Sequence, residues 1–267
     1  AGKDGFQPQS MAYVLQADKL DKRRPQAVDK LANCGRDLIV VDYSYDGAAD
    51  GKWTPQEIAK IRSGLKGRKV VAYLSIGEAE DYRSYWRASW DRGRDGKPDP
   101  GAPAFLEAVN PDWEGNYKVR YWHEDWQVLM LKYLDEIIDQ GFDGAYLDLV
   151  AAFEHFEEDN GRWIDHRKNP ATNRTYREDM IAWVTRIAKH GRGRTKGFLV
   201  IPQNGSQLLE SEPYRRLVDA IGVEDLFNFR HQVLISFYSK SNHVVLRVKL
   251  DAPTILIIVL TVNREKT

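Results

Sequence analysis

The chain has 267 residues, with 39 Lys+Arg against 39 Asp+Glu, 42% hydrophobic residues, 11% aromatic residues and one Cys. A chain of this size buries roughly three quarters of its unfolded surface, so a packed core is expected, and the aromatic and apolar fractions are too high for a disordered chain. The balanced charge gives no electrostatic footprint for nucleic acid, the lone Cys34 excludes an internal disulfide framework or a cysteine-based zinc site, and no apolar run reaches the ~18 residues of a membrane span.

In chain order, short apolar runs alternate with polar stretches of helical spacing. The runs are MAYVLQ (from Met11), LIVVDYS (from Leu38), KVVAYLSIGE (from Lys69), GAYLDLV (from Gly144), GFLVIPQN (from Gly197), AIGVED (from Ala220), QVLISFY (from Gln232) and PTILIIV (from Pro253). Between them, Thr54 with Pro55 and Glu57 forms a capping box ahead of Ile58, Ile61 and Leu65. Thr175 and Glu178 repeat it ahead of Met180, Ile181, Val184 and Ile187, and Trp126, Leu129, Tyr133 and Ile137 make a stripe that ends at Gly141. Eight strand candidates alternating with helices predict an α/β fold, a single (β/α)8 TIM-type barrel over 1–267; an open doubly wound sheet gives the same local pattern. The last unit is expected to be irregular or incomplete, because KSNHVVLRVKLD resembles a strand where a helix belongs. One connection, about Asp81 to His123, is a long insertion rich in Gly, Pro and aromatic residues, of the kind that carries function.

The residues that end the strand candidates carry the chemistry: Asp42, Glu78, Asp148, Gln203 with Asn204, and Glu224 with Asp225. In a parallel barrel all strand C-termini open on one face, so these groups should converge on one cleft. Any one of them alone reads as a helix or loop cap; together they predict a polar active site in which neighbouring carboxylates differ in pKa, as a general acid and its partner require. Trp86, Trp90, Trp113, Trp122 and Trp126, with Tyr82, Tyr85, Tyr117 and Tyr121, gather in and beside the insertion and suit sugar faces, although Trp126 lies on an apolar helical stripe and reads as core. Other signals point nowhere. There is no HExxH, GAADGKW (from Gly47) puts Trp53 where a phosphate loop needs Ser or Thr, GRGRTKG (from Gly191) reads as a solvated turn, and Cys34 reads as packing.

The motifs VVDYSYDG (from Val40), VVAYLSIGEAEDYR (from Val70), GFDGAYLDLV (from Gly141), IPQNG (from Ile201) and GVEDLF (from Gly222) resemble glycoside hydrolase family 114, the endo-α-1,4-polygalactosaminidases and their relatives, over about Asp37 to Phe227. The resemblance implies a secreted or periplasmic barrel that cleaves a galactosamine-containing polysaccharide internally, with Asp148 and Glu224 as the catalytic pair. Asp42, Tyr43, Tyr73, Ser75, Glu78, Asp81, Tyr82, Trp113, Tyr146, Gln203 and Asn204 would line the substrate cleft. Ala151 departs from the pattern, since members usually carry an acid three residues after the YLD aspartate. In two-carboxylate chemistry one group protonates the glycosidic oxygen while the other attacks the anomeric carbon or activates water. The surplus acids Asp42, Glu78 and Asp81 would match a substrate with free ammonium groups. No cofactor or metal is expected, the only expected partner is a polysaccharide or oligosaccharide rich in amino sugar, and the chain is expected to be a monomer. Two alternatives stay open: a carbohydrate-binding barrel without catalysis, and a Mg-dependent barrel enzyme that uses the same acids as ligands.

Overall fold

The computed structural model describes residues 6–224, 243–248 and 255–260. A five-stranded parallel sheet organises it, made of β1 (Met11–Val14), β2 (Leu38–Val41), β3 (Lys69–Ser75), β7 (Gly144–Asp148) and β10 (Leu199–Pro202), in that spatial order. A parallel bridge between Gln203 and Gly222 joins β10 to β11 (Ile221–Glu224), which pairs in parallel with β13 (Ile255–Leu260). Seven parallel strands thus follow one another among the described residues, the α/β arrangement of a TIM-type barrel. The segment read as a strand in place of the last helix is indeed one: β12 (His243–Val248) lies antiparallel against β13. The strand expected from Gln232 lies outside the described residues.

Strand alternation divides the core in two. Leu38, Val40, Val71, Tyr73, Tyr146, Leu199 and Ile201 form one cluster on the inner face of the sheet. Their neighbours Ile39, Val41, Val70, Ala72, Ala145, Leu147 and Val200 join the larger cluster that includes the helices. Those helices are α1 (Ala17–Leu20), α2 (Arg24–Ala32), α3 (Pro55–Ser63), α4 (Glu124–Asp139), α5 (Phe153–Glu157), α6 (Tyr176–Arg194) and α7 (Glu212–Leu217). Both capping boxes form as their sequences require, Thr54 with Glu57 on α3 and Thr175 with Glu178 on α6. The α4 stripe buries Trp126, Tyr133 and Ile137 as expected, together with Met130 and Leu134. Each fully buried Leu or Ile of these faces contributes about 1.5–3 kcal/mol, which outweighs the helices' modest intrinsic propensities. Cys34 packs against the same cluster.

Two sequence expectations change. Gly191–Arg194 is not a turn but the last turn of α6, because Gly191 lets the helix lie directly on the Phe198 ring, where a Cβ would collide. The insertion is not an open loop: β4 (Glu78–Glu80), β5 (Leu106–Asn110) and β6 (Trp113–Val119) form a three-stranded antiparallel sheet in the order β4-β6-β5. The loop between β4 and β5 is tied by Asp91, whose carboxylate accepts from the Gly96 amide at 2.9 Å and the Tyr117 hydroxyl at 2.6 Å. A short hairpin, β8 (Glu158–Asp159) with β9 (Arg162–Trp163), follows α5.

Candidate active site

Asp148 ends β7 and stands level with Ser75 of β3. Two donors hold its carboxylate: the Tyr73 hydroxyl at 2.6 Å from Oδ2 and the Leu149 amide at 2.7 Å from Oδ1. Leu149 reaches that position with φ of 58°, a left-handed conformation that a leucine adopts only at a cost of about 1 kcal/mol or more. Tyr73 is buried, and its phenol pKa is raised well above the usual value by that burial and by the Asp148 charge, so it stays a donor through the neutral range.

The turn after β3 carries the second acid. The Ile76 amide donates to the Asp148 carbonyl at 3.1 Å, and the Ile76 carbonyl accepts two indole N–H groups, Trp126 of α4 at 3.0 Å and Trp183 of α6 at 3.2 Å. Gly77 follows because a Cβ there would overlap the Leu149 carbonyl and Ala152. Glu78 then enters β4 at 3% exposure, its Oε1 accepting from the Asn110 side chain at 2.8 Å, while the Ser75 hydroxyl donates to its carbonyl at 2.9 Å. Burial pushes the Glu78 pKa up to about 7; the Asn110 and Asn116 side chains and Lys118 pull it down, and the Asp148 charge pushes it further up. A carboxyl that is half protonated near neutrality therefore sits within the field of Asp148, the kind of contrast an acid–base site uses.

Asp42 continues the inner-face register of Leu38 and Val40 on β2. Arg83 holds it through both oxygens, at 2.9 Å from Oδ1 and 2.7 Å from Oδ2, and reaches Glu80 through Nε at 2.6 Å. All three side chains are buried. Burial raises the Asp42 pKa against the lowering pull of Arg83, and the Arg83 pKa is raised by Glu80 and Asp42 against its own desolvation. The guanidinium also lies over the rings of Tyr82, Tyr43 and Tyr73, at 4.7, 5.4 and 6.0 Å from their centroids. The Arg83 guanidinium thus offsets the Asp42 charge on the inner face of the sheet.

The remaining expected residues separate by strand face. Tyr43 is fully buried on the helix side, its ring 4.6 Å from Tyr133, so it packs in the core and does not line the cleft. Tyr146 is buried on the inner face, edge-on to Tyr13 at 5.6 Å, with its hydroxyl against Gly222. Gln203 continues the inner-face register of Leu199 and Ile201, so β10 brings it level with Asp148. Asn204 takes a left-handed turn at φ of 57°, and its amide donates to Gly222 at 2.8 Å. Tyr82 is half exposed, its hydroxyl on Glu80 Oε1 at 2.5 Å. Asp81 is exposed, and the charges around it are Arg94, Glu114 and Asp91. Trp113 is 67% exposed at the tip of the β5–β6 hairpin, beyond an irregularity in the pairing of β6 with β5. Glu224 ends β11 at the same end of the sheet as Asp148; its side chain, like Asp225, lies outside the described residues.

Most of the other aromatic residues are structural. Trp86, Trp90, Phe105, Tyr117 and Trp126 pack in edge-to-face and tilted pairs and staple the insertion to the barrel, and Tyr121, Trp122, Phe156 and Tyr176 form a second such group. Sequence reasoning missed Arg83, Glu80, Asn110 and Lys118; the adjacency of Glu78, Glu80 and Arg83 in one motif was the available signal.

A parallel α/β barrel with carboxylates at the C-terminal ends of its strands is the architecture of barrel glycoside hydrolases. The profile of glycoside-hydrolase family GH114 matches residues 5–251, and the chain belongs to that family. It is 41% identical over 204 residues to the uncharacterized protein MJ1477 of Methanocaldococcus jannaschii, covering 75% of this chain and 53% of the relative. An uncharacterized protein of Deinococcus radiodurans is 40% identical over 191 residues, covering 72% and 53%. The chain therefore spans about half the length of the curated relatives it matches. Among solved structures, the glycoside hydrolase domain of PelA from Pseudomonas aeruginosa superposes with a TM-score of 0.53 at 17% identity, covering 81% of this chain and 67% of that one, a likeness of fold. No helix among the described residues is long and apolar enough to cross a membrane.

Proposed function

We propose that the protein is a secreted or periplasmic glycosidase that cleaves an α-1,4-linked galactosamine-containing polysaccharide internally, with Asp148 and Glu224 as its catalytic pair. Membership of GH114 supports the reaction class. The observation that carries the residue assignment is the setting of Asp148: two donors fix its carboxylate at the strand end, and the left-handed Leu149 backbone makes one of those bonds. A carboxylate locked by donors in one rotamer suits attack on, or stabilisation of, an anomeric carbon, while Glu224 at the end of β11 supplies or removes the proton at the glycosidic oxygen. Glu78, half protonated near neutrality, limits the negative charge around Asp148 before substrate enters. Tyr73, Tyr146, Gln203 and Ser75, on the inner face around Asp148, form the floor of the cleft in this reading, and Tyr82 with Asn204 its rim.

The test is a reducing-end assay on deacetylated and acetylated α-1,4-galactosamine polymers with wild type, Asp148→Asn and Glu224→Gln. Both substitutions are expected to lower turnover by about 1000-fold or more while far-UV circular dichroism stays unchanged, since such groups act as a unit in catalysis. Wild-type rates retained by either variant overturn the pair. Product analysis showing only release of terminal sugars overturns internal cleavage.

A further inference from the structure

Gln203 is 4% exposed, and its carbonyl Oε1 is buried without a hydrogen-bond partner among the described residues. An orphaned carbonyl of this kind costs about 1–3 kcal/mol, a cost that a donor on a bound sugar would remove. Its place in the sheet limits what that donor can be. The β7–β10 register pairs Tyr146 with Ile201 and Leu147 with Pro202, which sets Gln203 beside Asp148. On its other side Gln203 bridges to Gly222, two residues before Glu224. Gly222 carries no side chain there, and the Tyr146 hydroxyl takes up the space over it. The carboxamide therefore stands in the row between the strands that carry the two proposed catalytic acids.

We infer that Gln203 is the specificity-determining residue for the substituent at sugar carbon 2, accepting a hydrogen bond from a free 2-ammonium group through Oε1. The inference rests on the proposed function and deepens it. A sugar whose anomeric carbon meets Asp148 presents C2 as the next ring carbon, and a neighbour of Asp148 in the adjoining strand meets the group on C2. A buried carbonyl gains more from a charged ammonium donor than from a neutral hydroxyl, and a sugar with no donor at C2 leaves the carbonyl orphaned. Discrimination by such a site comes mainly from the unmet polar group in the wrong complex.

Calorimetric titration separates this from the hydrolase reading, because it needs no turnover. Wild type, Gln203→Leu and Gln203→Glu are titrated with a short α-1,4-galactosamine oligomer, its 2-deoxy analogue and its N-acetylated form, and cleavage of each is followed in parallel. Wild type is expected to prefer the ammonium oligomer over the 2-deoxy analogue by about 10–100-fold, one buried hydrogen bond to a charged donor. Gln203→Leu is expected to abolish that preference, and Gln203→Glu to keep or increase it, since a carboxylate also accepts. An equal preference in all three proteins overturns the assignment even if cleavage proceeds. A Gln203-dependent preference without any cleavage keeps it and overturns the hydrolase. If Gln203→Leu fails to fold, Gln203→Glu decides: loss of the ammonium preference in that variant overturns the inference. A Gln203-dependent preference for the acetylated oligomer over the free amine overturns the ammonium as the recognised group.

Discussion

Tyr73 and Asp148, on adjacent parallel strands, are joined by a 2.6 Å hydrogen bond in which the phenol donates to Oδ2. The partner oxygen, Oδ1, is taken by the Leu149 amide, so the carboxylate is fixed in rotation as well as in position. Tyr73→Phe removes one of these two donors without opening a cavity. Activity on the proposed polymer is expected to fall about 10–100-fold, in line with the 1.5–3 kcal/mol of a hydrogen bond to a charged group, while the melting temperature drops by only a few degrees. Unchanged kcat/KM would show that the Tyr73 hydroxyl is dispensable to the carboxylate.

Glu78 predicts a pH signature in stability. Its pKa rises from an ordinary carboxyl value to about 7 on folding, so between roughly pH 4.5 and 7 the native state binds more protons than the unfolded state. Stability contributed by the protonated form is complete below the unfolded pKa and is lost as pH rises to 7. Glu78→Gln deletes that slope. Relative to wild type, the variant should gain on the order of 1–3 kcal/mol between pH 4.5 and 7.5 in urea denaturation, one pKa unit being worth about 1.4 kcal/mol. A constant difference across that range would place Glu78 in a more solvated site.

Arg83 is expected to be the most sensitive charged residue of the barrel. Arg83→Met leaves Asp42 and Glu80 buried without their cation, a loss of about 3–5 kcal/mol. Arg83→Lys, whose single ammonium cannot match two carboxylates in the guanidinium's planar geometry, is expected to fall between the two. Urea unfolding of both variants at pH 7 measures this, and a loss below 1 kcal/mol for Arg83→Met would show the triad to be dispensable.

Gly77→Ala tests the packing behind the cleft. The added Cβ would overlap the Leu149 carbonyl and lie 2.5 Å from the Ala152 Cβ, so the turn that positions Asp148 must move. Expected are a loss of about 1–3 kcal/mol and a drop in activity larger than that stability loss explains. Gly93, with nothing within 4 Å of such a Cβ, is the control; Gly93→Ala should stay within about 0.5 kcal/mol of wild type.

The order of strands, the capped helices and the end-of-strand acids were legible because each depends on local spacing. Parity went unused: Asp42 and Tyr43 are consecutive at a strand end, so they cannot both face the cleft as expected, and Tyr43 lies on the helix side. The partnership of Asp42 with Arg83 was not legible, since 41 residues separate them and only the fold of β4 onto the barrel brings them together. The same holds for Asn110, which reaches Glu78 from a stretch whose Gly and Pro content resembled a loop but whose β5–β6 hairpin is anchored by Asp91 and Tyr117. The aromatic residues misled in number: rings that could have met sugars mostly meet each other.

The Ile76 carbonyl, shared by the indoles of Trp126 and Trp183, makes the wall of the cleft a joint product of segments 50 and 107 residues downstream. Anyone grafting this strand end onto another scaffold would have to carry both helices with it. A chain cut short before α6 would emerge from synthesis with the Asp148 turn only half anchored.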